Sequence, residues 1–319
     1  MAQTLVRVLE GGLQTTLQDL GRVTGRRYGV PPGGALDRAA HTAANRLVLN
    51  QPQAATLEIT LQGPRLLFET TALIAITGAD YGPLLNGRPI PMEMSLFVRA
   101  GQALEFSRPI ALSSLSPGSS GRGWGRVCYL AIHGGFDGPC FLGSRATYLK
   151  ADLSGYKGLG RALQAGDLLE SGFDKDITRP LRHLPEGASR TLPEGERPLY
   201  SEAVQVRLIA GPYQEHFSRE AYQTLYSAQF SLLEQSDRMG FRLSGPPLPY
   251  THPKMADIAS CAAVFGAIQV PSNGQPIVLM ADHQVTGGYP IIATVITEDL
   301  PLLAQLLPGG KVSFSDSHQ

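Results

Sequence analysis

Apolar positions in this chain come in short runs rich in β-branched residues, and Gly, Pro, Asn or Asp commonly ends them. Runs this brief read as strands rather than helices. They cover Leu5–Leu9, Leu57–Leu61, Leu66–Phe68, Leu73–Thr77, Leu96–Val98, Leu104–Phe106, Val127–His133, Val204–Ile209, Ala263–Val270, Ile277–Ala281, Ile291–Ile296 and Val312–Phe314. The pattern predicts an all-β barrel or sandwich rather than a strand–helix alternation. Helical spacing is confined to a few places. Ala40, Ala43, Ala44 and Leu47 share one face of Asp37–Leu49, with Asp37 placed to cap it. A second helix follows Ser218, a natural N-cap, through Ala221, Tyr222 and Leu225. A third starts near Glu298, carries Leu300, Leu303, Ala304 and Leu307, and stops at Pro308-Gly309-Gly310.

The segment His183–Pro198 is rich in Pro, Gly and charge and has little to bury, so it reads as a linker or exposed excursion. It divides the chain into residues 1–190 and 198–319, two β lobes between which strands can swap. Leu115–Gly125 is a further long loop of glycine and serine. A faint echo links the halves: Gln18-Asp19, Gly21-Arg22 against Gln235, Asp237-Arg238, Gly240.

Charge and composition narrow the function. The 319 residues carry 27 basic and 27 acidic side chains, which removes the electrostatic case for nucleic acid or an anionic membrane. No segment has the apolar length of a membrane span, and MAQTLVRVLEGG lacks the pattern of a signal peptide. Three scattered cysteines suggest a reducing, cytoplasmic location, and no His or Cys spacing suggests a metal site. There is no P-loop, no dinucleotide fingerprint and no biotin-attachment Met-Lys-Met, so no cofactor is assigned to this chain.

The most suggestive stretch is VFGAIQVPSNGQPIVLMADHQVTGGYP, from Val264 to Pro290. Two strands joined by Pro271-Ser-Asn-Gly274 empty into Asp282, His283, Gln284, Thr286 and a Gly287-Gly288 pair. Glycines there allow backbone to approach a ligand, and Asp and Gln supply acceptors and donors. On residue types alone an ordinary hairpin with a glycine turn is the simpler reading. In the N-terminal half, Gln18, Asp19 and Arg22 lie in a polar, glycine-bounded stretch without strand or helix period. They suit a carboxylate or amide ligand, or an Asp19–Arg22 pair that holds a loop. Ser144 and Arg145 suit an anion or amide, and Arg238 suits a carboxylate or backbone carbonyls. His133 reads as a satisfied residue at a strand end.

Taken in order, these pieces form a specific set. They are Gly12-x-x-Thr15-Thr-x-Gln18-Asp-x-Gly-Arg22, Gly29-Val-Pro…Gly34-Ala-x-Asp37, Ala44-Asn-Arg-Leu-Val48…Leu57-Glu58 and Tyr129-Leu-Ala-Ile-x-Gly134-Gly. Leu142-Gly-Ser-Arg145, Ser236-x-Arg238-Met-Gly, Gly266-Ala-Ile-Gln-Val-Pro271 and Asp282-x-Gln-x-Thr-Gly-Gly-Tyr-Pro290 complete it. The set closely resembles the family of 5-oxoprolinase C-type subunits, also called allophanate hydrolase subunit 2, biotin-dependent carboxyltransferase-like protein or Kip-inhibitor antagonist. The resemblance implies a mainly β fold of two cyclophilin-like β-barrel lobes with a few short helices. It implies A-like and B-like 5-oxoprolinase partners, with which 5-oxo-L-proline is hydrolysed to L-glutamate by a complex that uses ATP; the chain alone is expected to be inactive. Within that reading Asp282, Gln284 and Thr286 are catalytic. Gln18, Asp19, Arg22, Ser144, Arg145, Arg238, Gln269 and Tyr289 bind the lactam. The alternatives are a carboxyltransferase-like component for a urea- or amide-type substrate, and a non-catalytic antagonist of a Kip-inhibitor-like protein. The chain departs from the family pattern at Val285, Ala146 and His283, where Thr, Ser and Arg are expected.

Overall fold

The computed structural model describes residues 5–107, 125–172, 189–197 and 199–317. The Leu115–Gly125 loop, except Gly125, and the first part of His183–Pro198, with Pro198 itself, lie outside them. The chain forms two compact units. Among the described residues, one comprises those up to Arg22 and those from Gly33 to Leu199; the other takes Val23–Pro32 and those from Tyr200 onward.

The N-terminal unit is built from two sheets. A six-stranded sheet has the order Leu168–Glu170, Leu5–Glu10, Arg65–Phe68, Ala103–Phe106, Pro83–Leu85, Arg88–Pro89. A five-stranded sheet has the order Gln14–Gln18, Thr56–Thr60, Val127–Ile132, Ala72–Gly78, Ser95–Val98. Val6, Val8, Leu66 and Phe68 from the first pack with Leu17, Leu57, Ile59, Ile74, Ile76, Leu130 and Ile132 from the second in one buried core. The strand Gln14–Gln18 falls where the sequence shows no strand period, because almost every residue in it is buried. A strand covered on both faces loses the alternation that betrays a half-exposed one.

What covers the second face of the five-stranded sheet is the helix Arg38–Leu47. Its Asp37 cap accepts from Ala40 N–H at 2.9 Å, as the sequence predicts. Small Ala40 and Ala44 let the helix sit close over the strands. Register places Thr16, Glu58, Tyr129 and Thr77 in one row across four strands. The row is polar and buried, and it is satisfied locally. Asp37 N–H donates to the Tyr129 hydroxyl at 2.8 Å, and that hydroxyl donates to Glu58 at 2.6 Å. Glu58 also accepts from Leu36 N–H at 2.8 Å, and Thr77 donates to the Ala40 carbonyl at 2.7 Å. Burial, then the neighbouring Glu58, pushes the Tyr129 phenol well above its ordinary range. His41, wholly buried on the same helix, lies 2.9 Å from the Thr56 hydroxyl and 2.9 Å from the Pro52 carbonyl.

The described end of the predicted linker is mostly exposed but is tied to the N-terminal unit. Ser95 N–H donates to the Arg190 carbonyl at 2.8 Å, Leu192 N–H donates to the Glu93 carbonyl at 3.0 Å, and Leu192 is buried. The segment therefore covers the edge strand Ser95–Val98, whose backbone would otherwise be open to another strand.

In the C-terminal unit the strands close into a barrel. Its order is Ala203–Ala210, Ile291–Val295, Ala267–Gln269, Ile277–Leu279, Gly240–Ser244, Gln229–Leu232, Lys311–Asp316. The ring seals because Lys311–Asp316 pairs in parallel with Ala203–Ala210, Ala203 opposite Lys311. The predicted hairpin is present, with Ile268 opposite Val278. Of its turn residues Gly274 alone takes a positive φ, 73°, and its N–H closes on the Pro271 carbonyl at 2.9 Å. The helix Arg219–Ser227 is capped by Ser218, and Leu300–Ala304 follows a single turn at Thr297–Asp299.

Candidate functional site

Two clusters of predicted site residues form, one in each unit. In the N-terminal unit the strand Gln14–Gln18 delivers Gln18, Asp19 and Arg22 to the tight turn at residues 142–147. Asp19 is the hub. One carboxylate oxygen accepts from Gly21 N–H at 2.8 Å and from Ser144 Oγ at 2.6 Å; the other accepts from Arg145 N–H at 2.6 Å. Gln18 donates its amide to Thr16 Oγ1 and to the Thr147 carbonyl, each at 3.1 Å. The Arg22 guanidinium, 1% exposed, donates to the Ala146 carbonyl. These residues thus fix the turn, and Ala146 is buried within it. The Arg145 side chain leaves this knot, 40% exposed, and meets Asp137 at 3.4 Å. His133 is satisfied, as expected, by the Val48 carbonyl at 2.7 Å.

In the C-terminal unit the strand Ile277–Leu279 leads into residues 280–290. The Asp282 carboxylate receives a two-pronged grip from Arg238, Nε and Nη2 each at 2.9 Å, with only 6% and 10% of the two side chains exposed. Backbone bonds reinforce it: Asp282 N–H donates to the Arg238 carbonyl at 2.8 Å, and Met280 N–H to the Met239 carbonyl at 3.0 Å. Beyond this clasp, Gln284 donates its amide to Gln269 Oε1 at 3.0 Å, and Gln269 donates to the Tyr289 carbonyl at 3.4 Å. Gly287 leaves room for this amide chain: a Cβ there would lie 2.6 Å from Gln269 Nε2 and 3.2 Å from Gln284 Nε2, so the amide ends would have to shift. Thr286 is exposed, and the Tyr289 ring is 41% exposed. The strand pair Cys261–Ala262 with Thr286–Gly287 pins the loop from the other side. His283 is buried with Nδ1 2.7 Å from the Gln284 carbonyl.

The geometry therefore separates the predicted residues by accessibility. Arg145, Thr286 and Tyr289 present surface to a ligand. Asp19, Arg22, Asp282 and Arg238 are engaged by their own chain. Glu58 and Tyr129 were visible in the sequence as motif members, but nothing in it showed that they form a buried polar row. Alternation of Thr, Leu, Glu, Ile and Thr over residues 56–60 was the one signal available. Among the described residues no cluster of His, Cys, Asp and Glu could hold a metal ion, and no helix is long and apolar enough to cross a membrane.

The carboxyltransferase domain, subdomain A and B, matches residues 28–316. The chain is 35% identical to the 5-oxoprolinase C-type subunit of Haemophilus influenzae and 36% identical to that of Escherichia coli. Each match covers 97% of this chain and 90% of the relative. It is 29% identical to urea amidolyase of Saccharomyces cerevisiae over 98% of this chain and 16% of that protein. Among solved structures, TTHA0988 superposes with a TM-score of 0.81 at 32% identity, and this chain spans 55% of it. The Kluyveromyces lactis urea amidolyase superposes with a TM-score of 0.86 at 28% identity, and this chain spans 19% of it. With residues 28–316 matched and relatives at 35–36% identity over 97% of its length, the chain belongs to the carboxyltransferase domain family, subdomain A and B.

Proposed function

We propose that this chain is the C-type subunit of an ATP-dependent 5-oxoprolinase, which opens 5-oxo-L-proline to L-glutamate together with A-like and B-like partners. One observation carries the reading. The 5-oxoprolinase relatives match this chain along 90% of their own length, whereas the urea amidolyase of Saccharomyces cerevisiae uses the same stretch as 16% of a far larger protein.

A five-membered lactam is a poor electrophile, and ATP supplies the activation. Transfer of a phosphoryl group to the lactam oxygen makes the ring carbon attackable. Water adds, the ring C–N bond breaks with protonation of the amine, and the resulting acyl phosphate is hydrolysed to glutamate and phosphate. The tetrahedral species needs fixed hydrogen-bond donors. In this reading the C-terminal cluster receives the lactam, and the guanidinium groups of Arg22 and Arg238, buried against their own chain, hold structure rather than substrate. Gln284, Gln269 and Thr286 orient the amide, Tyr289 forms a wall, and Asp282 acts by positioning the loop on which they stand.

Reconstituted with both partners, the chain is expected to support ATP-dependent glutamate release from 5-oxo-L-proline, and to release none alone. Release by the single purified chain, or none from the full set, would overturn the assignment. Gly287→Ala pushes on flexible amide ends and is expected to change stability by about 1 kcal/mol. The same change displaces the amide chain and lowers kcat of the reconstituted enzyme by roughly tenfold or more. The urea amidolyase relatives favour a second reading, carboxyl transfer to a urea- or amide-type substrate. Carboxylation of such a substrate with a biotin carrier, and no lactam hydrolysis, would select it.

A further inference from the structure

A short basic segment from early in the sequence belongs to the C-terminal unit. Val23–Pro32 counts with that unit, and Val23–Tyr28 within it winds as a 3-10 turn. Two backbone bonds close the segment: Gly29 N–H donates to the Arg26 carbonyl at 3.0 Å, and Val30 N–H donates to the Gly25 carbonyl at 3.2 Å. Of its two arginines, Arg27 is exposed and lies 4.7 Å from the centroid of the exposed Tyr28 ring. Arg26 is half-buried, and its guanidinium donates to the carbonyl of buried Ala263.

That carbonyl borders the loop proposed to receive the lactam. Ala262 pairs with Thr286, and Cys261 pairs with Gly287. One residue further on, Ala263 N–H donates to the Val285 carbonyl at 2.9 Å. Residues opposed in this way in an antiparallel ladder usually exchange a second bond. Here the Ala263 carbonyl, which would take that return bond, accepts from Arg26 instead. The guanidinium therefore stands where the strand pair opens into Asp282–Val285, beside the residue that separates Gln284 from Thr286.

Arg26 also has donors to spare. A guanidinium carries five N–H groups, and among the described residues Arg26 bonds to the Ala263 carbonyl and meets no carboxylate. Arg238, the cation on the other side of this loop, is committed to Asp282. The groups that the lactam reading assigns to the amide, on Gln269, Gln284 and Thr286, are all neutral. They leave a substrate carboxylate without a positive partner unless Arg26 supplies it.

We propose that Arg26 is a substrate-binding residue, holding the carboxylate of a small cyclic amide acid whose amide lies against Gln269, Gln284 and Thr286. The planar fork of a guanidinium matches a carboxylate with two parallel bonds, which a neutral carbonyl cannot return. The inference rests on the lactam reading for the placement of the amide.

The test is ligand-observed NMR titration of the full chain with 5-oxo-L-proline and with 2-pyrrolidinone, the same ring without the carboxylate. 5-Oxo-L-proline is expected to bind at least about tenfold more tightly. Arg26→Ala should bring it down to the affinity of 2-pyrrolidinone, whose own binding stays unchanged; a purely structural loss would weaken both. Arg26→Lys keeps the charge without the fork and should fall between, whereas Arg27→Ala should behave as the wild type. Equal binding of the two lactams by the wild type, an equal loss of both in Arg26→Ala, or a preference untouched by both Arg26 variants would overturn the proposal. The two readings fail separately. A carboxylate preference carried by Arg26 without glutamate release from the reconstituted set would remove the proposed activity alone. Glutamate release with an unaltered KM in Arg26→Ala would remove the role of Arg26 alone.

Discussion

Asp282→Ala is expected to destabilise the C-terminal unit by about 3–5 kcal/mol, the usual result of removing one partner of a buried ion pair. The Arg238 guanidinium would be left buried beside an apolar methyl, with its two-pronged acceptor gone. Coulomb attraction between the partners is only part of the loss; the larger part is the cost of keeping the guanidinium buried after its two-pronged acceptor is gone. Urea denaturation followed on the C-terminal unit measures it. A double replacement, Arg238→Met with Asp282→Leu, is expected to recover most of that stability, because apolar residues of similar volume satisfy the same space. Lactam hydrolysis by the reconstituted complex should not recover with it, since the clasp sets the base of the loop carrying Gln284 and Thr286. If the double replacement restored full activity, the Arg238–Asp282 pair would be packing alone. A single Asp282→Ala loss below about 1 kcal/mol would place the pair in water instead.

The second large effect is acid sensitivity of the N-terminal unit through His41. Burial is the main cause that lowers its folded pKa to about 4 from 6.5; the bond to the Pro52 carbonyl and the charge of Asp19 oppose the shift, and Arg38 adds to it. A depressed histidine pKa means that the unfolded chain binds the proton first. Stability is therefore whole above pH 6.5, falls as pH drops from there to about 4, and levels off below as far as His41 is concerned. At 1.36 kcal/mol per pH unit the loss amounts to roughly 3 kcal/mol. Asp167, where burial raises the pKa but Arg161 outweighs it and holds the carboxyl below the usual range, adds further loss in this unit at lower pH. Unfolding free energies measured between pH 7.5 and 4 should show a steep slope for the wild type. His41→Gln, less stable at pH 7.5, should show a flatter one. Equal slopes would mean that His41 is not the group that titrates.

These groups mark the boundary of what the sequence could reveal. Strands with apolar, β-branched runs, such as Leu73–Thr77 and Val127–His133, were legible because their residue types fit a pleated, buried surface. Gln14–Gln18 was not, since its threonines and glutamines look solvated until a helix and a turn cover them. Short strands such as Pro83–Leu85 carry too few residues to show any period. The glycine pair at 287–288 correctly flagged a close approach, but what approaches is the protein's own Gln269 amide. Asp282 and Arg238 were both legible as charged residues near strand ends. That they hold each other across 44 residues of chain depends on the pairing of Gly240–Ser244 with Ile277–Leu279, which no local pattern encodes. The same holds for Asp19, whose partners lie 125 and 126 residues away.

The parallel pairing that seals the C-terminal ring governs the order in which a nascent chain can acquire structure. Its first strand must wait on the ribosome until residues 311–316 emerge, more than a hundred positions later, so that lobe begins life with an open seam. During that interval the edge of Ala203–Ala210 that Lys311–Asp316 will cover is unpaired, the kind of strand edge at which partly folded chains associate.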